Sequence, residues 1–200
     1  MRRAALVLAL GLLASGCGRP DPEVSRAGEL CGVPGLSGTV SGLISDSVSG
    51  CGVERAVRLE AVHGVPLSRP ATLDCPTART LGQWVRESAQ PEVGRTGGGL
   101  AGLRVASHYA CRTRNSQPGA LVSEHGKGRA IDIAALQLRD GSEIAVLEHW
   151  GRGQKGRILA RLHRDACGPF GTVLGPDSDR FHQDHFHFDT ARHRGGPYCR

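Results

Sequence analysis

Apolar and polar positions follow one another in short runs along this chain, and the runs change period several times. Residues 4–14 are apolar behind the basic start Met1-Arg2-Arg3. They are too few to cross a bilayer and are followed by small residues, the pattern of an export signal. Residues 57–62 read as a short strand. Residues 74–89 read as the first helix. Asp74 or Thr77 can cap it, Leu81, Trp84 and Val85 form its apolar stripe, and Pro91 is expected to follow its end. Residues 94–102 form a glycine-rich loop without the Gly-Lys-Ser/Thr ending of a phosphate cradle. Residues 103–111 are strand-like, and Pro118-Gly119 marks a turn. Ala130–Leu138 and 143–150 flank Arg139-Asp140-Gly141 as a β-hairpin. Residues 154–166 read as the second helix, with Ile158, Leu159 and Leu162 on one face. Thr172–Leu174 and 185–189 read as short strands. The pattern predicts an α+β fold, a small antiparallel sheet with flanking helices, and no internal repeat.

Composition changes this picture little. The chain has 200 residues, 39% of them apolar and 29 of them glycine, which suits one loop-rich domain with a modest core. The net charge is +6, and Lys127 and Lys155 are the only lysines. The arginine excess reflects either a compositional bias or affinity for an anionic polymer. Nucleic acid is disfavoured as a partner, because there is no Lys/Arg-rich run and no set of aromatic residues for stacking bases.

The cysteines extend the export reading. Leu13-Ala14-Ser15-Gly16-Cys17 resembles a bacterial lipobox, in which Cys17 becomes the lipidated first residue, although Ala14 stands where that motif usually has Leu. The alternative is ordinary cleavage near Gly16. Lipidation of Cys17 leaves six of the seven cysteines for pairing. These are Cys31, Cys51, Cys75, Cys111, Cys167 and Cys199, and in an oxidising compartment they predict three disulfides. Spacing alone leaves the connectivity open. The pairing carried forward is Cys31–Cys51, Cys75–Cys111 and Cys167–Cys199. The predicted organisation is a signal peptide over 1–16, a lipidated N-terminus and polar linker over 17–30, and a disulfide-stapled domain over 31–200. Gly18 rather than Asp follows Cys17, so in a Gram-negative host the outer membrane is the expected destination.

Two stretches carry the candidate chemistry. The first is Ser123-Glu124-His125-Gly126-Lys127-Gly128-Arg129-Ala130-Ile131-Asp132, and the second is Asp184-His185-Phe186-His187. His125 and Asp132 lie too far apart for the i, i+4 ligand spacing of a helix, which suits a loop turning back into a strand. Alternation places Asp132 on one face with Ala130 and Ala134. A carboxylate in so apolar a strand needs a partner. His185 and His187 share one strand face, Phe186 and Phe188 the other, and Asp184 stands at the strand mouth. A hydrolytic zinc takes three protein ligands and keeps a fourth position for water, whose pKa it lowers toward about 7. His125, Asp132 and one histidine of the final pair would supply two imidazoles and a carboxylate. Asp184 is the candidate base, and His185 could donate a hydrogen bond to a tetrahedral intermediate. The same donors also suit iron(II). His182 is read as a residue of the cleft rim or of the structure, and Asp189 as an orienter of a ligand histidine or a surface ion pair. His63, His108, His149, His163 and His193 are read as surface or core histidines.

The residues Ser123, His125, Gly128, Ala130 and Asp132 match Ser-x-His-x-x-Gly-x-Ala-x-Asp, and the chain here resembles the D-alanyl-D-alanine metallopeptidases. Their superfamily includes lysostaphin-type peptidases and the hedgehog signalling domain. Asp184-x-x-His187 is similar to that family's acidic-residue-x-x-His motif, and His185-x-His187 to the His-x-His of the superfamily's murein endopeptidases. The resemblance implies a metallopeptidase-like fold, with His125, Asp132 and His187 as zinc ligands and Asp184 as general base. It also implies a substrate-contacting arginine upstream, for which Arg112 is the nearest match and Arg114 the alternative. A broader resemblance runs from about Cys31 to Arg200. Leu81-Gly82-Gln83-Trp84-Val85, Cys111-Arg112-x-Arg114-Asn115, Val173-Leu174-Gly175-Pro176 and His182-x-Asp184-His185-x-His187-x-Asp189 resemble the bacterial extensin-like C-terminal domain. The expectation is an exported, lipid-anchored zinc metallopeptidase that cleaves peptidoglycan stem or cross-link peptides near D-alanine. Its rivals are a non-catalytic, metal-containing wall-binding module and a metal-free disulfide domain.

Overall fold

The computed structural model describes residues 29–200. The export segment, Cys17 and nearly all of the linker lie outside the described residues. Among the described residues, no helix is long and apolar enough to cross a membrane. Among the described residues nine strands form the framework: β1 (Leu36–Ser45), β2 (Gly52–Val62), β3 (Val65–Asp74), β4 (Leu100–Ser107), β5 (Ala130–Leu138), β6 (Glu143–Ala145), β7 (Thr172–Leu174), β8 (Phe186–Asp189) and β9 (Tyr198–Cys199). They make one sheet in the order β1-β2-β3-β4-β5-β8-β7-β9, with β6 paired to β5. The β3–β4 and β7–β9 pairs are parallel and the rest antiparallel. The fold is therefore α+β and disulfide-stapled, as expected, but its sheet is mixed and large rather than small and antiparallel.

The extra strands have physical reasons for being hard to read. β1 is an outer strand rich in Ser and Gly and mostly exposed, so it has no buried alternation. β3 carries Pro66 and Pro70, which argue against a central strand. Its pairing toward β4 is confined to Leu67 opposite Leu103. β4 also begins and ends earlier than the predicted 103–111, which leaves residues 108–112 as an irregular segment beside the site.

The first helix, α1 (Cys75–Trp84), is capped as predicted: the Asp74 carboxylate accepts from the Thr77 N–H at 2.8 Å, and Pro76 sits in the first turn. The helix then runs past the predicted end. A π-turn over Val85–Ala89 leads into α2 (Gln90–Val93), so Pro91 lies inside the helical run instead of after it. The Gln90 N–H bonds back to the Val85 carbonyl, and this widened turn directly precedes a residue that has no N–H to donate. The predicted hairpin forms, but its second arm is only β6; a short helix, α3 (Val146–His149), follows. Helix α4 (Gly153–Ala166) buries Ile158, Leu159 and Leu162 as its apolar stripe requires.

The helices cover the sheet face that Phe186 and Phe188 present. Phe188 meets Trp84 edge-on at 5.1 Å and stacks on Phe170 at 4.9 Å, and the Trp84 indole donates to the Leu162 carbonyl at 3.1 Å. Burying one such ring contributes about 1.5–3 kcal/mol. Because strand side chains alternate, His187 and Asp189 must face the other way.

The disulfides are Cys31–Cys75, Cys51–Cys111 and Cys167–Cys199. Cys167–Cys199 agrees with the expectation, and the predicted Cys31–Cys51 and Cys75–Cys111 do not. The reason is placement. Cys31 and Cys75 are buried in the core, where Arg79 of α1 also donates to the Cys31 carbonyl at 3.2 Å. Cys51, at the turn between β1 and β2, instead meets Cys111 on the irregular segment after β4, beside the turn that carries His125.

Candidate metal centre

The site begins with register. β5 is buried along almost its whole length. Its antiparallel pairing with β8 sets Asp132 opposite His187 and Ala130 opposite Asp189. A slip of one residue would put Phe186 or Phe188 where the histidine belongs. His125 comes from a different kind of element, a 3₁₀ turn over Glu124–Lys127. The Ser123 hydroxyl accepts from the His125 N–H at 3.4 Å, and Gly128 closes the turn in the left-handed region at φ 68°. A side chain at Gly128 would be strained there and would also meet Val53 at 2.7 Å.

These elements bring His125, Asp132 and His187 together, all three buried. His125 Nε2 lies 3.2 Å from His187 Nδ1 and 3.2 Å from Asp132 Oδ2, and His187 Nδ1 lies 2.9 Å from Asp132 Oδ1. The outer ring atoms define the tautomers. His125 Nδ1 is 2.7 Å from the His108 carbonyl, which can only accept, so Nδ1 carries the proton. His187 Nε2 is 3.0 Å from Asp189 Oδ2 and likewise carries the proton. With neutral rings, two nitrogen lone pairs and a carboxylate then face one another, and a cation or an added proton must relieve them. Without a metal, His187 takes that proton. Burial opposes its charge, but the hydrogen bonds with Asp132 and Asp189 outweigh burial and hold its pKa up to about 9. Burial pushes Asp132 up, yet its hydrogen bonds with His125 and His187 hold it well below the ordinary carboxylate range. Asp189 is lowered against its own burial by the bond from His187.

The cluster could hold a divalent metal ion, and its spacing can be compared with what zinc would require. Metal–ligand bonds of about 2.0–2.2 Å at tetrahedral angles need donor atoms about 3.3–3.6 Å apart, and the cluster is slightly tighter than that. Each imidazole also has the outer acceptor that zinc-bound histidines use to fix the ring.

The second stretch is arranged differently from expectation. β8 starts at Phe186, so Asp184 and His185 belong to the turn before it. The Asp184 side chain is 66% exposed and takes the His185 Nδ1–H at 2.7 Å. Asp184 therefore does not itself face the cluster. His185 does: its Nε2 stands 3.7 Å from Asp132 Oδ2. A cleft of about 370 Å³ opens over this cluster, and His185, Arg112 and Arg114 all line it. Arg112 is half-buried, and its guanidinium has no partner among the described residues. Arg114 lies 4.0 Å from Glu124.

Of the other histidines, His182, expected at the cleft rim or in a structural role, and His108 and His193, expected at the surface or in the core, all lie at or beside the cluster. His182 is buried, with Nδ1 2.7 Å from Asp179 Oδ1 and its ring 5.3 Å from that of His185. Burial pushes its pKa below the ordinary value, against the pull of Asp179. His193 lines the cleft and bonds to the Thr172 hydroxyl at 2.9 Å. His108 contributes its backbone carbonyl. The spacing Asp179-x-x-His182 was a readable signal, whereas a backbone carbonyl leaves none.

Fold and site together define a class: an α+β domain in which two central strands and a 3₁₀ turn bring two histidines and one aspartate together in a buried cluster at the base of a cleft. The family is also defined. The family model described as Extensin-like protein C-terminus matches residues 39–200, and the chain belongs to that family. Neither the curated proteins nor the solved structures offer a match.

Proposed function

We propose that this domain is a zinc metallopeptidase that cleaves peptidoglycan stem or cross-link peptides near D-alanine. The observation that supports this best is the set of three converging ligand-type side chains, with an outer acceptor on each imidazole that aims the ring inward. Bound zinc would supply an activated water and polarise the scissile carbonyl. The residues of the chain supply the remainder. His125, Asp132 and His187 hold the ion. His185 Nε2 is placed to take a proton over the cleft, and Asp184 keeps that ring in the required tautomer. The catalytic role first read for Asp184 thus passes through His185. Arg112, whose guanidinium has no partner among the described residues, offers itself to a substrate carboxylate or a developing oxyanion, with Arg114 as the second candidate. Export and a lipid anchor at Cys17, with the outer membrane as destination, complete the reading.

The rival is a wall-binding module that keeps the metal and does no chemistry. The outward placement of Asp184 favours it to the extent that a base is needed in direct contact with the cluster. Digestion of purified sacculi separates the two. Chelator-sensitive release of D-alanine or of cleaved cross-linked muropeptides, restored by zinc, is the expected result. Stoichiometric zinc with sacculus binding and no cleavage would leave the binding module.

A further inference from the structure

The cleft carries a second feature beside the metal cluster. The chain has four Phe, two Tyr and two Trp. Trp84, Phe170, Phe186 and Phe188 are fully buried. The large exposed aromatic side chains are Phe181, 39% exposed, and Tyr198, 50% exposed, and both line the cleft. Each ring carries a guanidinium: Arg180 lies 4.7 Å above Phe181, and Arg200 lies 5.6 Å from the ring centre of Tyr198. Neither guanidinium meets a carboxylate among the described residues. Both rings are also held in place. The Phe181 N–H and His182 share the Asp179 carboxylate, each at 2.7 Å. Tyr198 pairs with Thr172 on the sheet and precedes the Cys167–Cys199 bridge. Exposed, fixed rings at the rim of a site suit a ligand with a flat apolar face, and the guanidiniums suit carboxylates on the same ligand. A short peptide of alanine-like residues has the carboxylates and lacks the flat face. An amino-sugar strand bearing acidic peptides has both.

We propose that Phe181 and Tyr198 form a sugar-stacking platform, so that the site engages its peptide while the peptide is still attached to a glycan strand. This rests on the peptidase reading and specifies its substrate. The test measures binding of the zinc-loaded protein to three probes: a disaccharide-linked stem peptide, the same peptide without sugar, and a peptide-free amino-sugar oligosaccharide. The wild type should hold the sugar-linked peptide about tenfold more tightly than the free peptide, the scale of two ring contacts. It should also bind the bare oligosaccharide weakly. Phe181→Ala with Tyr198→Ala should remove the difference between the two peptides, and Phe181→Tyr with Tyr198→Phe, which keep the rings, should preserve it. Bound zinc in each variant reports an intact fold. Equal affinity of the wild type for both peptides, or a preference that survives loss of both rings, would overturn the platform alone. Tighter binding of a single-stranded oligonucleotide than of the sugar-linked peptide would overturn it in favour of base stacking. Binding of neither peptide would overturn the peptidase reading with it.

Discussion

His125 and His187 reach the same carboxylate from supports of opposite kinds. His187 is a strand residue: the β5–β8 register places it, aromatic packing on the far face anchors it, and a buried carboxylate, Asp189, tethers its outer nitrogen. His125 is a turn residue. Its position depends on the Ser123 cap, on Gly128 in the left-handed region, and on a carbonyl of the irregular segment 108–112. That segment is fastened by Cys51–Cys111, and a side chain on Gly126 would come within 3.0 Å of Cys51 Sγ. The comparison teaches that one half of the centre is part of the fold and the other half is clipped onto it. Damage to the strand half should cost stability and metal together. Damage to the turn half should cost metal more than it costs the rest of the molecule.

The largest expected effect lies outside both supports. His185→Ala should keep the metal and lower turnover by about 10²–10⁴-fold, the usual loss for a missing general base. Asp184→Asn should fall in the same direction by less, because it disturbs only the tautomer of the ring. Single-turnover digestion of sacculi with zinc content measured in parallel decides this. Equal, severe losses would return the base role to Asp184 itself.

Next in size is removal of the clip. Replacing Cys51 and Cys111 together by Ser should lower stability by about 2–4 kcal/mol, as losing a bridge typically does. Zinc affinity should fall as well. Spectra of a cobalt-substituted protein would report the change as loss of one imidazole. Unchanged affinity would show that the turn needs no clip.

Asp189→Asn strikes the other tether. An outer partner of a metal-bound histidine typically contributes about 10–100-fold in affinity, so zinc competition against a chelator should register a shift of that order.

The smallest effect on function is confined to the metal-free protein. The pKa of His187 is raised to about 9 from an ordinary 6.5. Its charge therefore adds stability that is fully present below pH about 6.5 and is lost as pH rises through about 9. Thermal midpoints of chelated protein should decline over that window, and Asp189→Asn should shrink the decline.

This division also explains what could be read from the sequence. The bounds of β5 emerged correctly because an apolar run interrupted by one aspartate has few other readings, and α4 emerged from its helical period. The candidate trio was legible only in part: the residues themselves offered His125, Asp132 and one histidine of the final pair, and the resemblance singled out His187. The direction of Asp184 was not, because a residue ahead of a strand has no period to aim it. The pairing of Cys51 with Cys111 was not legible either, since contact between a hairpin turn and an irregular segment leaves no trace in local pattern. Phe181 and Tyr198 look like ordinary aromatics until the fold leaves them exposed at one cleft.

The central claim is that one buried centre, built half from strand and half from turn, holds a single metal ion. Elemental analysis of purified protein, stripped with chelator and reloaded with zinc, tests it most directly. The account predicts about one zinc per chain in the wild type and in Asp184→Ala. It predicts none in His125→Ala, Asp132→Ala or His187→Ala. A wild type without stoichiometric metal, or ligand variants that all retain it, would contradict the account and return His125 and His187 to a hydrogen-bonded core.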